Sequence, residues 1–322
     1  MSKFGLLTYC TANAGDDIQS IAARQYLPKI DYYIDRDFIG AFSTNHIEPV
    51  HLLMNGWFLH HPKSFGLRNP QIQTFGYRLR SRFLGQEYFW PPSKSIDPFF
   101  ISFHIQAEHL PPCMIDKRAL RYYRDHSPIG CRDHQTVELL KSHGVDAYFS
   151  GCLTLTLNRP PVDKTEEICF VDPFGPDSTV PTMAPGSNGK YRELWELVPK
   201  MVLARANIIT HEIDTHSRPE ERLDHAQGLL EQYARAKLVV TGRLHCALPC
   251  LAFGTPVLFI HRAEYESRVG AYLPFLNHQT IEMVSRQGFE LDWDSPTPNK
   301  DKHLALLPSL RSSCEAFVTS RF

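Results

Sequence analysis

Short apolar runs alternate with amphipathic segments along the first half of the chain. Apolar runs bounded by turn residues are typical of buried strands. They predict strands at Phe4–Tyr9, Val50–Met54, Phe99–Phe103, Pro128–Cys131 and Val145–Phe149. Segments with apolar residues on one face predict helices at Ile18–Tyr26, Lys117–Asp125 and His134–His143. This alternation indicates a parallel sheet with helices on its faces.

The same alternation resumes after Asn158–Asp163, a proline-containing segment that is typical of a linker. It predicts strands at Ile168–Val171, Asn207–Thr210, Leu238–Thr241 and Val257–Ile260. It predicts helices at Tyr191–Val198, Glu220–Ala236, Leu244–Phe253 and His303–Thr319. We therefore expect an α/β fold of two domains, residues 1–160 and 161–322, with a cleft between them.

The most informative unit of this pattern runs from Leu238 to Ile260. Gly242 ends the first strand, a short helix follows, and Gly254 ends that helix before the second strand. Arg243 and His245 stand at the mouth of the first strand. In open α/β sheets this is where ligands bind, beside helix N-termini that favour anions. A fixed cation and a titratable imidazole at this place suit a phosphorylated or carboxylated substrate.

Composition and charge narrow the class of protein. The chain has 322 residues, 43% of them hydrophobic, and its 34 basic and 35 acidic residues leave a formal charge of −1. This balance argues against a nucleic-acid binder. No apolar run approaches the roughly 18 residues of a membrane helix, and no signal peptide is recognised. The eight cysteines include no CxxC pair, so we expect a reduced, cytoplasmic chain.

The loop Asn13–Asp17 follows the first predicted strand. Glycine-containing loops at this place cradle phosphates, but two adjacent carboxylates would repel a phosphate, and the lysine of a P-loop is absent. Asp16 or Asp17 could instead act as a base on a hydroxyl, or the loop could grip sugar hydroxyls. The alternative is a carboxylate that only caps the following helix.

A third loop, Ile129–Asp133, follows another predicted strand on the same sheet edge. Its Arg132–Asp133 pair is either a structural salt bridge or an anion clamp, since guanidinium binds carboxylate and phosphate bidentately. Arg132 and Arg243, facing one cleft from two domains, would hold a small anion while His245 supplies a proton. No metal-ligand cluster is visible: Cys246 and Cys250 stand in an apolar context typical of a core.

Four motifs, in this order, carry a resemblance to a known family. They are Asn13-x-Gly15-Asp16, Ile129-Gly-x-Arg132-Asp133, Ser150-Gly-Cys-Leu-Thr-Leu-Thr156, and Thr241-Gly-Arg-Leu-His245 with Gly254-Thr-Pro256. The chain resembles the polysaccharide pyruvyl transferase family from about Leu6 to Ile260. The resemblance implies a GT-B-like fold of two Rossmann-like domains. It also implies transfer of a pyruvyl group from phosphoenolpyruvate to a sugar, commonly as a cyclic ketal, with release of phosphate.

The resemblance also implies roles for residues. Arg243, Leu244 and His245 match the family's Arg-Leu-His signature, Arg132 matches an arginine linked to the donor, and Asp16 matches a carboxylate near the reacting centre. His245 is then the expected proton donor and Asp16 the expected hydroxyl base. We expect substrate contacts from Asn13, Gly15 and Asp17 in the same loop. No cofactor or metal is implied.

The acceptor side is less defined. Asn55-Gly56-Trp57 stands where many members have a Gly-Gly pair, and Trp57 and His104 are expected either to bind the acceptor sugar or to pack in the core. Arg78, Arg80 and Arg82 form a basic, aromatic stretch that is either a solvated edge or a contact for a lipid-linked glycan at the inner membrane face. A GT-B glycosyltransferase with a nucleotide-sugar donor is the alternative enzyme, and a sugar-binding module without catalysis is the alternative of another class.

Overall fold

The computed structural model describes residues 2–58, 90–106, 110–175 and 191–322. Its strands all pair in parallel within their sheets. They are β1 (Lys3–Thr8), β2 (Tyr32–Asp35), β3 (Val50–Leu53), β4 (Trp57–Phe58), β5 (Ile96–Phe99), β6 (His104–Ile105), β7 (Ile129–Cys131), β8 (Ala147–Phe149), β9 (Ile168–Val171), β10 (Ala206–Ile209), β11 (Leu238–Thr241), β12 (Val257–His261) and β13 (Asn277–Thr280).

Helices connect these strands. The α-helices are α1 (Ala14–Arg24), α2 (Lys117–Asp125), α3 (His134–Ser142), α4 (Arg192–Glu196), α5 (Lys200–Leu203), α6 (Pro219–Arg235), α7 (Leu244–Phe253), α8 (Glu266–Val269), α9 (Ile281–Gln287) and α10 (Leu307–Thr319). Short 3-10 helices occupy Arg36–Ala41, Pro112–Met114, Leu153–Thr156, Ala263–Tyr265, Leu273–Phe275 and Lys302–Leu306. Within the described ranges, no helix has both the length and the apolarity that crossing a bilayer requires.

The first half of the chain contains a parallel sheet with the strand order β2-β1-β3-β5. The register pairs Gly5 with Tyr32 on one side and Gly5 with Leu52 on the other. Two short parallel pairs, β4 with β6 and β7 with β8, lie in the same half. The order reverses between β1 and β3, so the loops that follow these two strands flank the crevice where ligands of such sheets bind.

The second half contains a parallel sheet with the order β10-β9-β11-β12-β13. Its central strands are buried throughout, as expected for strands covered on both faces. Val239 pairs with Cys169 on β9 and with Val257 on β12. Here the order reverses between β9 and β11, which places the crevice at the loops that begin with Asp172 and Gly242.

The two halves share one hydrophobic core. Helix α1 packs against α6, and one continuous cluster includes Phe4 and Ile18 of the first half with Leu229 and Ala247 of the second. The last helix, α10, also returns to the first half, where Phe317 stacks on Phe99 with ring centroids 5.0 Å apart. A division at residue 160 therefore separates α10 from the strand that it covers.

Most elements predicted from apolar runs are confirmed, and the differences have local causes. The strand expected at Phe99–Phe103 instead spans Ile96–Phe99. It lies at the edge of its sheet, where a proline such as Pro98 is tolerated because no ladder hydrogen bond is needed on the outer side. Helix α1 begins at Ala14 rather than Ile18, because the Asn13 side chain accepts a hydrogen bond from the Gly15 N–H and caps it.

Candidate active site

The carboxyl ends of both large sheets border one cavity of about 530 Å³. From the first half, it receives the loop after β1, the start of β4 and β6, and the residue after β7. From the second half, it receives the residues after β9 and β11 and the end of β12. Both topological switch points therefore open into the same cavity, the expected place for a ligand of this architecture.

The structure brings the predicted site residues together with one exception. Those that line the cavity are Asn13, Gly15, Asp16, Trp57, His104, Arg132, Arg243, Leu244 and His245. Asp17, expected to contact substrate, is absent from the lining within the described residues. Its carboxylate accepts hydrogen bonds from Arg222 Nε at 3.0 Å and Nη2 at 2.7 Å, in a pair almost fully buried between α1 and α6. Its helical position turns it away from Asp16 and towards α6.

Arg132 is held from both sides. Its Nη1 donates to Gln19 Oε1 at 2.8 Å and lies 3.3 Å from His245 Nε2. The backbone carbonyl of Arg132 accepts a hydrogen bond from the Tyr272 hydroxyl at 2.5 Å. These contacts fix the guanidinium beside the imidazole, with only 7% of the residue exposed. Asp133 is not a partner of Arg132 among the described contacts, so of the two alternatives for this pair the structural salt bridge is not found.

Asp16 lies at the end of a buried chain of polar groups. Its Oδ2 accepts from the Thr11 hydroxyl at 2.7 Å and lies 3.5 Å from Arg36 Nη1, while its Oδ1 accepts from Gln19 Nε2 at 3.2 Å. Gln19 therefore links Asp16 to Arg132 through the two ends of one amide. This network orients the carboxylate and spreads its charge before any substrate is present.

Arg243 is fixed by a carboxylate from the neighbouring strand. Its Nε donates to Asp172 Oδ2 at 2.8 Å, and the same oxygen accepts the His211 backbone N–H at 2.9 Å. Asp172 has a left-handed backbone, with φ of 40°, a conformation that costs free energy in non-glycine residues. Gly242 is required next to it, because a Cβ there would lie 2.8 Å from the Asp172 carbonyl oxygen. The terminal nitrogens of Arg243 have no hydrogen-bond partner among the described residues.

His104 is oriented by Asp133. Its Nδ1 lies 2.5 Å from Asp133 Oδ2 and 3.2 Å from the Thr136 hydroxyl. Asp133 also caps α3, because its Oδ1 accepts the Thr136 N–H at 2.8 Å. Burial and the neighbouring Arg132 lower the pKa of His104 to about 4, against the opposing effect of Asp133. His104 is therefore neutral near pH 7.

His245 is also neutral in the free protein. Burial lowers its pKa well below the usual range, and Arg132, His211, His104 and Arg268 add repulsion of the same sign. Arginine and histidine side chains line the cavity, and among the described residues Asp16 is its single lining carboxylate. Such a field favours a small, multiply charged anion.

Several lining residues were missed from the sequence. His211 follows β10, and its Nε2 lies 2.7 Å from the Tyr233 hydroxyl. Arg268 lies over the Trp57 ring, 5.7 Å from its centroid. The rule that strand ends share one edge could have identified His211, since it comes two residues after the strand. Arg268 carried no such signal, because it lies on a four-residue helix far along the chain.

No group of three or more potential metal-ligating side chains was found within the described ranges. The stretch with Arg78, Arg80 and Arg82 lies outside the described residues.

A family model described as polysaccharide pyruvyl transferase matches residues 13–262. No curated protein matches the chain. Among solved structures, a functionally uncharacterised protein of Klebsiella pneumoniae subsp. pneumoniae NTUH-K2044 is 13% identical, with 87% of this chain and 93% of that chain covered and a TM-score of 0.43. The range matched by the family model begins at Asn13 and includes Arg132, Arg243 and His245.

Proposed function

Because this chain belongs to the polysaccharide pyruvyl transferase family, we propose that it transfers the pyruvyl group of phosphoenolpyruvate to a sugar and closes a cyclic ketal across two hydroxyls. The family membership makes it a transferase of polysaccharide synthesis. The donor and the ketal are the proposed parts. The observation that carries them is the placement of two arginines and His245 around one cavity.

Phosphoenolpyruvate is a small trianion, and the cavity offers matching groups. Arg132 and Arg243 reach it from the two halves of the chain, and each is held in place by a partner on the protein. The first N–H groups of α7, at Leu244 and His245, have no intrahelical partner and favour an anion. We assign the carboxylate and phosphate of the donor to these groups.

The chemistry needs a proton at C3 of the enol and an acceptor oxygen at C2. His245 is the proposed proton donor to C3, and Asp16 the proposed base for an attacking hydroxyl. The C2–phosphate bond then breaks with its electron pair on the phosphate, and the second hydroxyl forms the second C2–O bond. One hydroxyl proton ends on C3 and the other on phosphate, so atoms and charge balance without a cofactor. Asn13, Gly15, Trp57 and His104 are the proposed acceptor contacts.

The architecture we propose is GT-B-like, with an acceptor side in residues 1–160 and a donor side in residues 161–322. The two parallel sheets with a reversal of strand order beside the cavity support this proposal. Arg132 is an exception to this division, because it lies in the acceptor side, residues 1–160, but is proposed to bind the donor.

The acceptor is a sugar or a lipid-linked glycan, and the proposed compartment is the cytoplasm, with peripheral contact to the inner membrane face. All eight cysteines are free, which suits a reducing compartment. The near-zero net charge gives no reason to add a nucleic acid as a partner.

The purified protein tests this proposal directly. We expect phosphoenolpyruvate and a panel of p-nitrophenyl hexosides to give phosphate and a sugar product with a ketal methyl group, detected by proton NMR. In deuterated water, that methyl group should carry solvent deuterium, because C3 takes its third hydrogen from an exchanging acid. Release of a nucleotide from sugar nucleotides, with no phosphate from phosphoenolpyruvate, would overturn the proposal.

A further inference from the structure

His104 and Asp133 form a histidine–carboxylate pair at the wall of the cavity. His104 comes from β6 and Asp133 from the N-terminus of α3, and the Nδ1–Oδ2 distance is 2.5 Å. Both side chains are 3% exposed. The Thr136 hydroxyl contacts both groups, at 3.2 Å from His104 Nδ1 and 3.0 Å from Asp133 Oδ2. The ring is therefore held in one orientation.

This geometry decides the tautomer of the imidazole. An ionised carboxylate can only accept, so Nδ1 carries the hydrogen and donates it to Asp133. Burial raises the pKa of Asp133, but the contacts with His104, the Thr136 N–H and Arg132 together outweigh it, so this pKa lies below the usual range. The remaining nitrogen, Nε2, then carries a lone pair, and no hydrogen-bond partner of Nε2 is found within the described part of the chain. Since His104 lines the cavity, this lone pair is available to a substrate hydroxyl.

Burial and the charged groups around His104 keep its imidazole unprotonated near pH 7, so that Nε2 can accept a proton. Arg132 from the end of β7 and Arg268 from α8 repel a proton, and Asp133 from α3 attracts one. The nearby His245 on α7 is neutral. A trianionic donor on Arg132 adds negative charge beside the ring, which raises the pKa of His104 from about 4 towards the working pH.

Ketal formation requires a base for each of the two acceptor hydroxyls. Two hydroxyls lose protons, and one proposed base, Asp16, already accepts hydrogen bonds from Thr11 and Gln19 and faces Arg36. On the basis of the function proposed above, we propose that His104 is a second acid–base catalyst, positioned by Asp133. Nε2 takes the proton of an acceptor hydroxyl as its oxygen bonds to C2, and gives that proton to the departing phosphate. Asp133 is a positioning residue, because it acts through the ring.

Two substitutions separate this role from a structural one. His104→Asn keeps a donor near the position of Nδ1 but removes Nε2. Asp133→Asn keeps the helix cap, since asparagine caps as well as aspartate, but removes the charge that fixes the tautomer. With an active hexoside acceptor, each should lower kcat by about 10²–10⁴-fold, the usual size of an acid–base contribution, with little change in the dissociation constant of phosphoenolpyruvate. His134→Asn, an exposed histidine next to Asp133, is the matched control.

Two further measurements distinguish a base from a packing residue. In the wild type, kcat/KM should fall as the pH drops through about 4, because His104 of the free enzyme becomes protonated there. The variant His104→Asn should lose this limb. Nitrogen NMR of 15N-histidine protein should show Nε2 of His104 unprotonated at neutral pH, and Asp133→Asn should shift the hydrogen to Nε2.

The inference is overturned if wild-type protein is active and His104→Asn turns over at the same rate. It is also overturned if Asp133→Asn keeps both the rate and the tautomer. Wild-type protein that releases no phosphate from phosphoenolpyruvate with any hexoside would instead refute the proposed function itself. The two failures are distinguished by the wild-type measurement.

Discussion

At the scale of single residues, His245 is the proposed proton donor, although its imidazole is neutral in the free protein. Burial and the Arg132 guanidinium lower the pKa of His245 in the free protein. Under the proposed function, we expect a trianionic donor to reverse the local charge, so that the imidazolium becomes favourable when the donor is bound. The proposed acid is therefore charged at the step that needs it.

This coupling predicts proton uptake on donor binding. Titration of the wild type with phosphoenolpyruvate, by calorimetry in buffers of different ionisation enthalpy, should show protons taken from solution near pH 7. His245→Gln should show less uptake and lower kcat by about 10²–10⁴-fold, while the donor still binds. Unchanged uptake and turnover in the Gln variant would remove His245 from the role of acid.

The contacts of Arg243 lead to a second prediction at this scale, which concerns donor affinity. Arg243→Lys loses both the fixed Nε–Asp172 hydrogen bond and the planar fork that binds a carboxylate or phosphate at two points. A charged hydrogen bond is worth about 1.5–3 kcal/mol, so the donor dissociation constant should rise about 10–100-fold. The melting temperature should change little, because Arg243 lies at a loop. Arg218→Lys, an exposed arginine paired with Glu221, is the control, and equal donor affinity in the two variants would contradict the clamp.

The sequence predicted most residues of the site but not their partners. Arg132, Arg243 and His245 are recognisable because each follows a predicted strand of a parallel sheet, where strand ends converge. The partner of Asp17 is Arg222, 205 positions away. No local pattern indicates which of two adjacent carboxylates faces the cavity and which faces another helix.

At the scale of elements, that buried pair joins α1 to α6. Removing one partner leaves the other charge buried and unpaired, which is costly. Asp17→Asn should lower the free energy of unfolding by about 3–5 kcal/mol in urea titrations, with little effect on donor affinity in the folded protein. The exposed pair Glu166–Lys237 provides the control, since Glu166→Gln should leave stability nearly unchanged.

A loss of donor binding in stable Asp17→Asn protein would return Asp17 to the substrate site. The double substitution Asp17→Leu with Arg222→Met should recover much of the lost stability, because apolar residues of similar volume replace a buried pair without an unpaired charge. No recovery would indicate that the pair does more than join the two helices.

Elements were predictable where burial imposes a continuous apolar run. The strands β9 and β11 match their predicted bounds, because both faces are covered. The edge strands β2 (Tyr32–Asp35) and β13 (Asn277–Thr280) were not predicted, since the first mixes polar and apolar residues and the second contains no apolar residue. Their strand structure depends on pairing with β1 and β12, which is a long-range property.

At the scale of the whole molecule, the cavity is bordered by two sheets whose supporting helices share one core. The Arg132–His245 contact therefore joins groups from the two halves across that core. Relative movement of the halves would separate these groups. The packing of α1 on α6 and of α10 on the first sheet holds them together.

This packing predicts that the two halves unfold together. Phe317 is 5% exposed, and Phe317→Ala should lower the free energy of unfolding by about 3–5 kcal/mol. Trp90 lies in the first half, and Trp195 and Trp293 report on the second. In Trp→Phe backgrounds that leave one half fluorescent, the urea midpoints should coincide, and Phe317→Ala should shift both equally.

Separate midpoints, or a shift confined to the first half, would show two independently stable domains. The contact between Arg132 and His245 would then depend on the interface between the two domains. Coincident midpoints would mean that the site is assembled by folding itself. The unfolding of Phe317→Ala thus decides whether the contact between Arg132 and His245 depends on one cooperative fold or on the association of two separately stable domains.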